Sequence, residues 1–103
     1  MTHIKELAKN AISVEISELI SLKERIDERF EKAVDTIYQS TGKLIIVGVG
    51  KSAHVANKIV ATLNSTGTPS QFLHAAEAIH GDLGVIQKND VVLCISNSGN
   101  SPE

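Results

Sequence analysis

Leu44-Ile45-Ile46-Val47 is an unbroken apolar run that empties into Gly48-Val49-Gly50-Lys51-Ser52, and no other stretch limits the fold as tightly. A strand with four apolar residues in succession has no polar face. It must be covered on both sides, as the central strands of parallel α/β sheets are. A helical repeat resumes at once, with Ala53, Val55, Ala56, Ile59, Val60 and Leu63 recurring at three and four between about Ser52 and Asn64. The glycine loop therefore joins a strand to a helix, with free backbone N–H groups and the positive end of a helix dipole. That combination favours an anion, usually a phosphate.

Residues 1–41 read as a helical segment ahead of this strand. From about Ile4 to Arg25, the residues Ile4, Leu7, Ala8, Ala11, Ile12, Ile16, Leu19 and Ile20 fall on one broad side of a long helix. A second helix carries Ile26, Phe30, Ala33, Val34 and Ile37 and is expected to stop at Thr41-Gly42. Two amphipathic helices exceed what a minimal sheet needs. They pack on their own sheet, or one of them covers a partner subunit.

Residues 42–103 hold three strands and their loops. After the turn formers Ser65 to Pro69, Ser70-Gln71-Phe72-Leu73-His74 is short and mixed in polarity, which suits an edge strand. Ala75 to Ile79 forms a helical turn or two, and Gly81-Asp82-Leu83-Gly84 and Lys88-Asn89-Asp90 are turns. Val91 to Ile95 is a second wholly apolar run, expected to be a buried strand, and it too opens into small polar residues, Ser96 to Ser101. Ser101-Pro102-Glu103 has a capping residue, a first-turn proline and an acid, the pattern of a helix start. The expectation is the N-terminal portion of a single domain whose C-terminal half is absent.

A net charge of −2, with no basic block or aromatic-interleaved patch, argues against nucleic-acid binding. The apolar runs are strand-sized and the first residues do not read as a secretory leader, so no membrane role is expected. The one cysteine, Cys94, reads as a small filler in a buried strand. A cytoplasmic protein follows as the default.

Strands joined by right-handed crossovers point the same way, so the loops after Val47 and Ile95 leave the same edge of a parallel sheet. With the short strand outermost, the order is 2-1-3, a flavodoxin-like three-layer α-β-α arrangement preceded by the two helices. A crevice then opens between the two loops. Gly48, Gly50 and Ser52 form one wall, and Ser96, Asn97, Ser98, Gly99 and Ser101 the other, where hydroxyls and N–H groups can hold a phosphate monoester. Lys51 at a helix start opposes the dipole, an odd location unless an anion sits there. A Walker loop would need glycine at Ile45, so Gly50-Lys51-Ser52 is a chance partial match. Gly48-Val49-Gly50-Lys51-Ser52-Ala53 fits the dinucleotide pattern, but the short strand ends Phe72-Leu73-His74 without the expected acid. A dinucleotide-binding domain is the lesser alternative. His54, His74 and His80 lie at mixed spacing on separate elements, which supports no metal beyond adventitious zinc at His80.

Four segments together resemble the sugar isomerase (SIS) domain family, and within it the arabinose 5-phosphate isomerases. They are Gly48 to His54, Ser65 to Ser70, His74 to Gly84 and Ile95 to Gly99, in the family's order and spacing. Alanine at position 75 and asparagine at position 100 depart from the family's common proline and glutamate. The resemblance implies interconversion of D-ribulose 5-phosphate and D-arabinose 5-phosphate through an enediol, supplying Kdo for lipopolysaccharide. It implies Lys51, Glu103 and His80 as catalytic, no cofactor, and a homotetramer. SIS domains also serve as non-enzymatic phosphosugar-binding modules in regulators, and that reading stands as the alternative.

Overall fold

The computed structural model describes residues 3–79 and 81–99. The expected helix start at Ser101-Pro102-Glu103 lies outside them. Contacts divide the chain into two units, one ending at Asp35 and the other beginning at Thr36.

The first unit holds helix α1 (Ile4–Arg25) and most of α2 (Glu28–Gln39), and no residue of α1 is buried. The second helix starts later than its apolar repeat suggests. Ile26 is extended, and its N–H donates to the Lys23 carbonyl to close α1. Asp27 then acts as the cap: its carboxylate accepts the Arg29 backbone N–H at 3.0 Å and the Arg29 guanidinium at 2.9 Å. The hydrogen bond from the Arg29 side chain, helped by its backbone N–H, holds the Asp27 carboxyl below its ordinary range.

The second unit runs β1 (Leu44–Gly48), α3 (Lys51–Ser65), β2 (Ser70–His74), α4 (Ala75–Ile79), a 3-10 turn (Asp82–Val85) and β3 (Val91–Cys94). The sheet is parallel, in the order β2-β1-β3, with Leu44 opposite both Ser70 and Val91. This is the order expected from the apolar patterning, and β1 takes the centre. Leu44, Ile45 and Ile46 are 4%, 0% and 0% exposed, as a strand without a polar face requires. Leu44 and Ile46 share a face and pack with Ala56 of α3, while Ile59, Val60, Leu63 and Phe72 close around them. Burying a side chain of that size contributes about 1.5–3 kcal/mol. The chain leaves β1 for β2 on one side and returns past it to β3 on the other. Right-handed crossovers in opposite directions put α3 and the α4 connection on opposite faces.

β3 is not the buried strand its composition suggests. Val92 and Leu93 are 43% and 38% exposed, and Cys94 is exposed rather than a core filler. The physical reason is position: among the described residues β3 pairs only with β1, so its outer edge is uncovered.

The amino-terminal ends of β1 and β3 are fastened by Asp90. Its carboxylate accepts the Lys43 backbone N–H at 2.9 Å, the Lys43 ammonium at 2.9 Å and the Gln87 N–H at 2.8 Å. The Ser40 hydroxyl donates to the Asn89 carbonyl at 3.1 Å and accepts the Gly42 N–H. Gly42 lies in this corner for want of space. A Cβ there would collide with the Asn89 carbonyl, so its role differs from the helix stop that its position after α2 suggests. At the far end of α3, Asn64 brackets Ser70, accepting its N–H at 2.7 Å and donating to its carbonyl at 3.1 Å, which fixes where β2 begins.

Candidate active site

The carboxyl-terminal edge of the sheet is built around the point where β1 and β3 part. The ladder extends one residue past β3, since the Ile95 N–H donates to the Val47 carbonyl at 2.9 Å. The two loops therefore leave from adjacent positions. They enclose a cavity of about 150 Å³. Val47, Gly48 and Val49 line it from the first loop, and Cys94, Ile95, Ser96 and Gly99 from the second. Ala75, the first residue of α4, adds a third wall that the sequence patterning did not point to.

Each glycine of the first loop serves a different need. Gly48 is buried under the first turn of α3, and a Cβ on it would stand 2.9 Å from the Ser52 carbonyl oxygen. Gly50 has open space around it but sits at φ 60°, ψ −129°, a backbone conformation that L side chains rarely adopt. From there α3 starts without a side-chain cap and without an acid in its first turn. Lys51, its first residue, is exposed and has no ion-pair partner among the described residues. Positive charge on a positive helix end is unfavourable by itself, so this corner is electrostatically prepared for an anion. Fewer N–H groups are free than the loop's length suggests: those of Ser52 and Ala53 donate to the Val49 and Gly50 carbonyls at 3.1 Å.

In the second loop the Ser96 hydroxyl accepts the Gly99 N–H at 2.9 Å, while Gly99 takes φ 74°. This turn holds the loop in shape, and it engages two groups that sequence reasoning assigned to a ligand. Ser96, Asn97, Ser98 and Gly99 are all exposed at the rim. Of the residues expected at the site, Gly48, Ser96 and Gly99 line the cavity, whereas Gly50, Asn97 and Ser98 are in the loops around it and Lys51 and Ser52 open α3. His80, Ser101 and Glu103 lie outside the described residues. Among the described residues no cluster of three metal-ligating side chains occurs, and no helix is long and apolar enough to cross a membrane.

Residues 36–103 match the SIS domain model. The chain belongs to the SIS domain family. Its curated relatives include the arabinose 5-phosphate isomerase KdsD of Pseudomonas aeruginosa, 51% identical over 93% of this chain and 29% of the relative. KdsD of Francisella tularensis is 49% identical over 99% of this chain and 32% of the relative. A solved Escherichia coli CFT073 protein in complex with arabinose 5-phosphate superposes with a TM-score of 0.77 at 42% identity, covering 95% of this chain and 54% of that one. The SIS chain thus spans less than a third of those curated relatives. Its cavity is at the sheet edge where open α/β folds place their ligands.

Proposed function

We propose that this chain is the N-terminal portion of a single SIS domain that interconverts D-ribulose 5-phosphate and D-arabinose 5-phosphate. The observation that carries the reading is the cavity shared by the glycine-lysine loop and the serine-asparagine loop. The names of the relatives and the sugar phosphate in the Escherichia coli structure support it. The uncovered edge of β3 supports a domain that continues past Glu103. The exposed aliphatic residues of α1 support a homo-oligomer, by resemblance a tetramer.

In this reading the phosphate rests against the serine loop and the start of α3, in reach of Gly48, Gly50, Ser52, Ser96, Asn97, Ser98, Gly99 and Ser101. The reaction removes the C1 proton of the ketose, passes through an enediol and returns a proton to C2, while the hydroxyl proton moves from O1 to O2. Lys51 supplies positive charge for the developing oxyanion, and Glu103 and His80 supply acid-base groups. The product feeds Kdo synthesis in the cytoplasm.

The test uses the full-length gene product and ribulose 5-phosphate. Lys51→Ala should lower kcat/KM about 100-fold or more with little change in Tm. Binding of D-arabinose 5-phosphate without turnover by the unaltered protein would instead identify a phosphosugar sensor. Preference for NAD over the sugar phosphate in a thermal-shift comparison would return the site to the dinucleotide binders. The 103-residue chain by itself should show no isomerase activity.

A further inference from the structure

We propose that His74 is a positioning residue for the phosphosugar pocket, fixing the α4 wall through its imidazole Nδ1; the inference rests on the reading of that pocket given above. His74 ends β2, in register with Gly48 of the first loop. The next residue, Ala75, is buried, lines the cavity and begins α4. Where α4 starts, the Ala76 N–H donates to His74 Nδ1 at 3.1 Å. This is the N-cap position with an imidazole in place of the usual hydroxyl or carboxylate. Here Nδ1 offers the lone pair that the Ala76 N–H needs. The edge of the ring pair with Phe72, centroids 6.2 Å apart at 85°, holds the imidazole in place.

A five-residue helix has little stability of its own, so one cap decides much of its order. The cap and the ligand wall are consecutive residues. Loss of the bond therefore frees Ala75 to move against Gly48 and Ser96 across the cavity.

The experiment compares the unaltered full-length protein with His74→Ala and His74→Asn, since asparagine can cap the helix in place of the imidazole. Affinity for D-arabinose 5-phosphate is measured by calorimetry at pH 8, and amide exchange of residues 75–79 by mass spectrometry without ligand. At pH 8, His74→Ala should bind about 5- to 10-fold more weakly and exchange faster at this segment, with His74→Asn within about twofold of the parent. Equal affinity and equal exchange in His74→Ala and the parent overturn the proposal. If the parent binds no sugar phosphate, the pocket reading fails and exchange alone decides the cap: faster in His74→Ala and restored in His74→Asn supports it, unchanged overturns it. Should His74→Ala not fold, His74→Phe takes its place, keeping a ring without an acceptor: weaker binding and faster exchange support the proposal, and values equal to the parent's overturn it.

Discussion

The two ends of the sheet are made of similar residues put to opposite uses. At the amino-terminal end, glycine, lysine, serine and an acid are consumed by one another: Asp90 takes three hydrogen bonds, and Lys43 ends in an ion pair at 2.9 Å. At the carboxyl-terminal end, Lys51 stands exposed without a counter-ion among the described residues, beside an uncapped helix start and a cavity. One end has its charges satisfied internally and the other presents them outward. The difference separates a structural corner from the one proposed to bind ligand, although both read alike in composition.

The largest way to test this division is Gly42→Ala. The added methyl runs into the Asn89 carbonyl and approaches the Asp90 carboxylate, and both are held in place, so overpacking should cost about 1–3 kcal/mol. In a protein of the relatives' length that lowers Tm by no more than roughly 2–12 °C, read by thermal melting of the full-length protein. Affinity for the sugar phosphate in the protein that remains folded should not change. A loss of affinity at unchanged Tm would mean that the two ends are not separate in function.

Asp90→Asn should follow, with a Tm drop of several degrees at neutral pH and again no effect on binding. Asparagine keeps one acceptor but cannot accept from both Gln87 and Lys43 at the other. The Gln87 N–H, then the Lys43 side chain and backbone, depress the Asp90 carboxyl from its ordinary 3.8 to about 2. Because the folded value lies below the unfolded one, the stabilisation is complete above about pH 4 and is lost as pH falls toward about 2. The melting curve of Asp90→Asn should therefore converge on that of the parent across this window. Parallel curves down to about pH 2 would show that the carboxylate does not carry the corner.

Most of the architecture was legible because it depends on patterns a strand or helix cannot hide. The unbroken Leu44 to Val47 run demanded a central strand, and the mixed Ser70 to His74 an edge. The failures share one cause, which is that exposure depends on neighbours. Val91 to Ile95 has the composition of a buried strand, but among the described residues one of its edges faces no partner. The Asp90 corner joins residues 47 positions apart, so neither Lys43 nor Asp90 advertises it locally. At the site, the two loops were legible as glycine and serine clusters. Ala75 was not, because an alanine after a short strand carries no chemical signal. Likewise, the engagement of the Ser96 hydroxyl with the Gly99 N–H is a matter of loop geometry that residue types leave open.

The first loop offers a finer separation, between glycine needed for space and glycine needed for backbone freedom. Gly48→Ala places a methyl 2.9 Å from the Ser52 carbonyl oxygen, closer than a Cβ packs, so the backbone at the start of α3 must move. Affinity for the sugar phosphate should fall, since the displaced backbone is that of Ser52 and Ala53, next to Lys51. If Tm falls while affinity holds, the helix start is not a ligand contact.

Gly50→Ala should cost about 1–3 kcal/mol through backbone strain alone, because nothing occupies the space beside it and only φ 60°, ψ −129° opposes the side chain. D-Alanine introduced at position 50 by chemical ligation removes even that cost, since a positive φ is its preferred range. It should leave stability unchanged or raise it by about 0.4–1 kcal/mol through reduced freedom of the unfolded chain. Equal destabilisation by L- and D-alanine at position 50 would mean that the methyl is felt as bulk, and that the loop is more closely packed than its open surroundings imply.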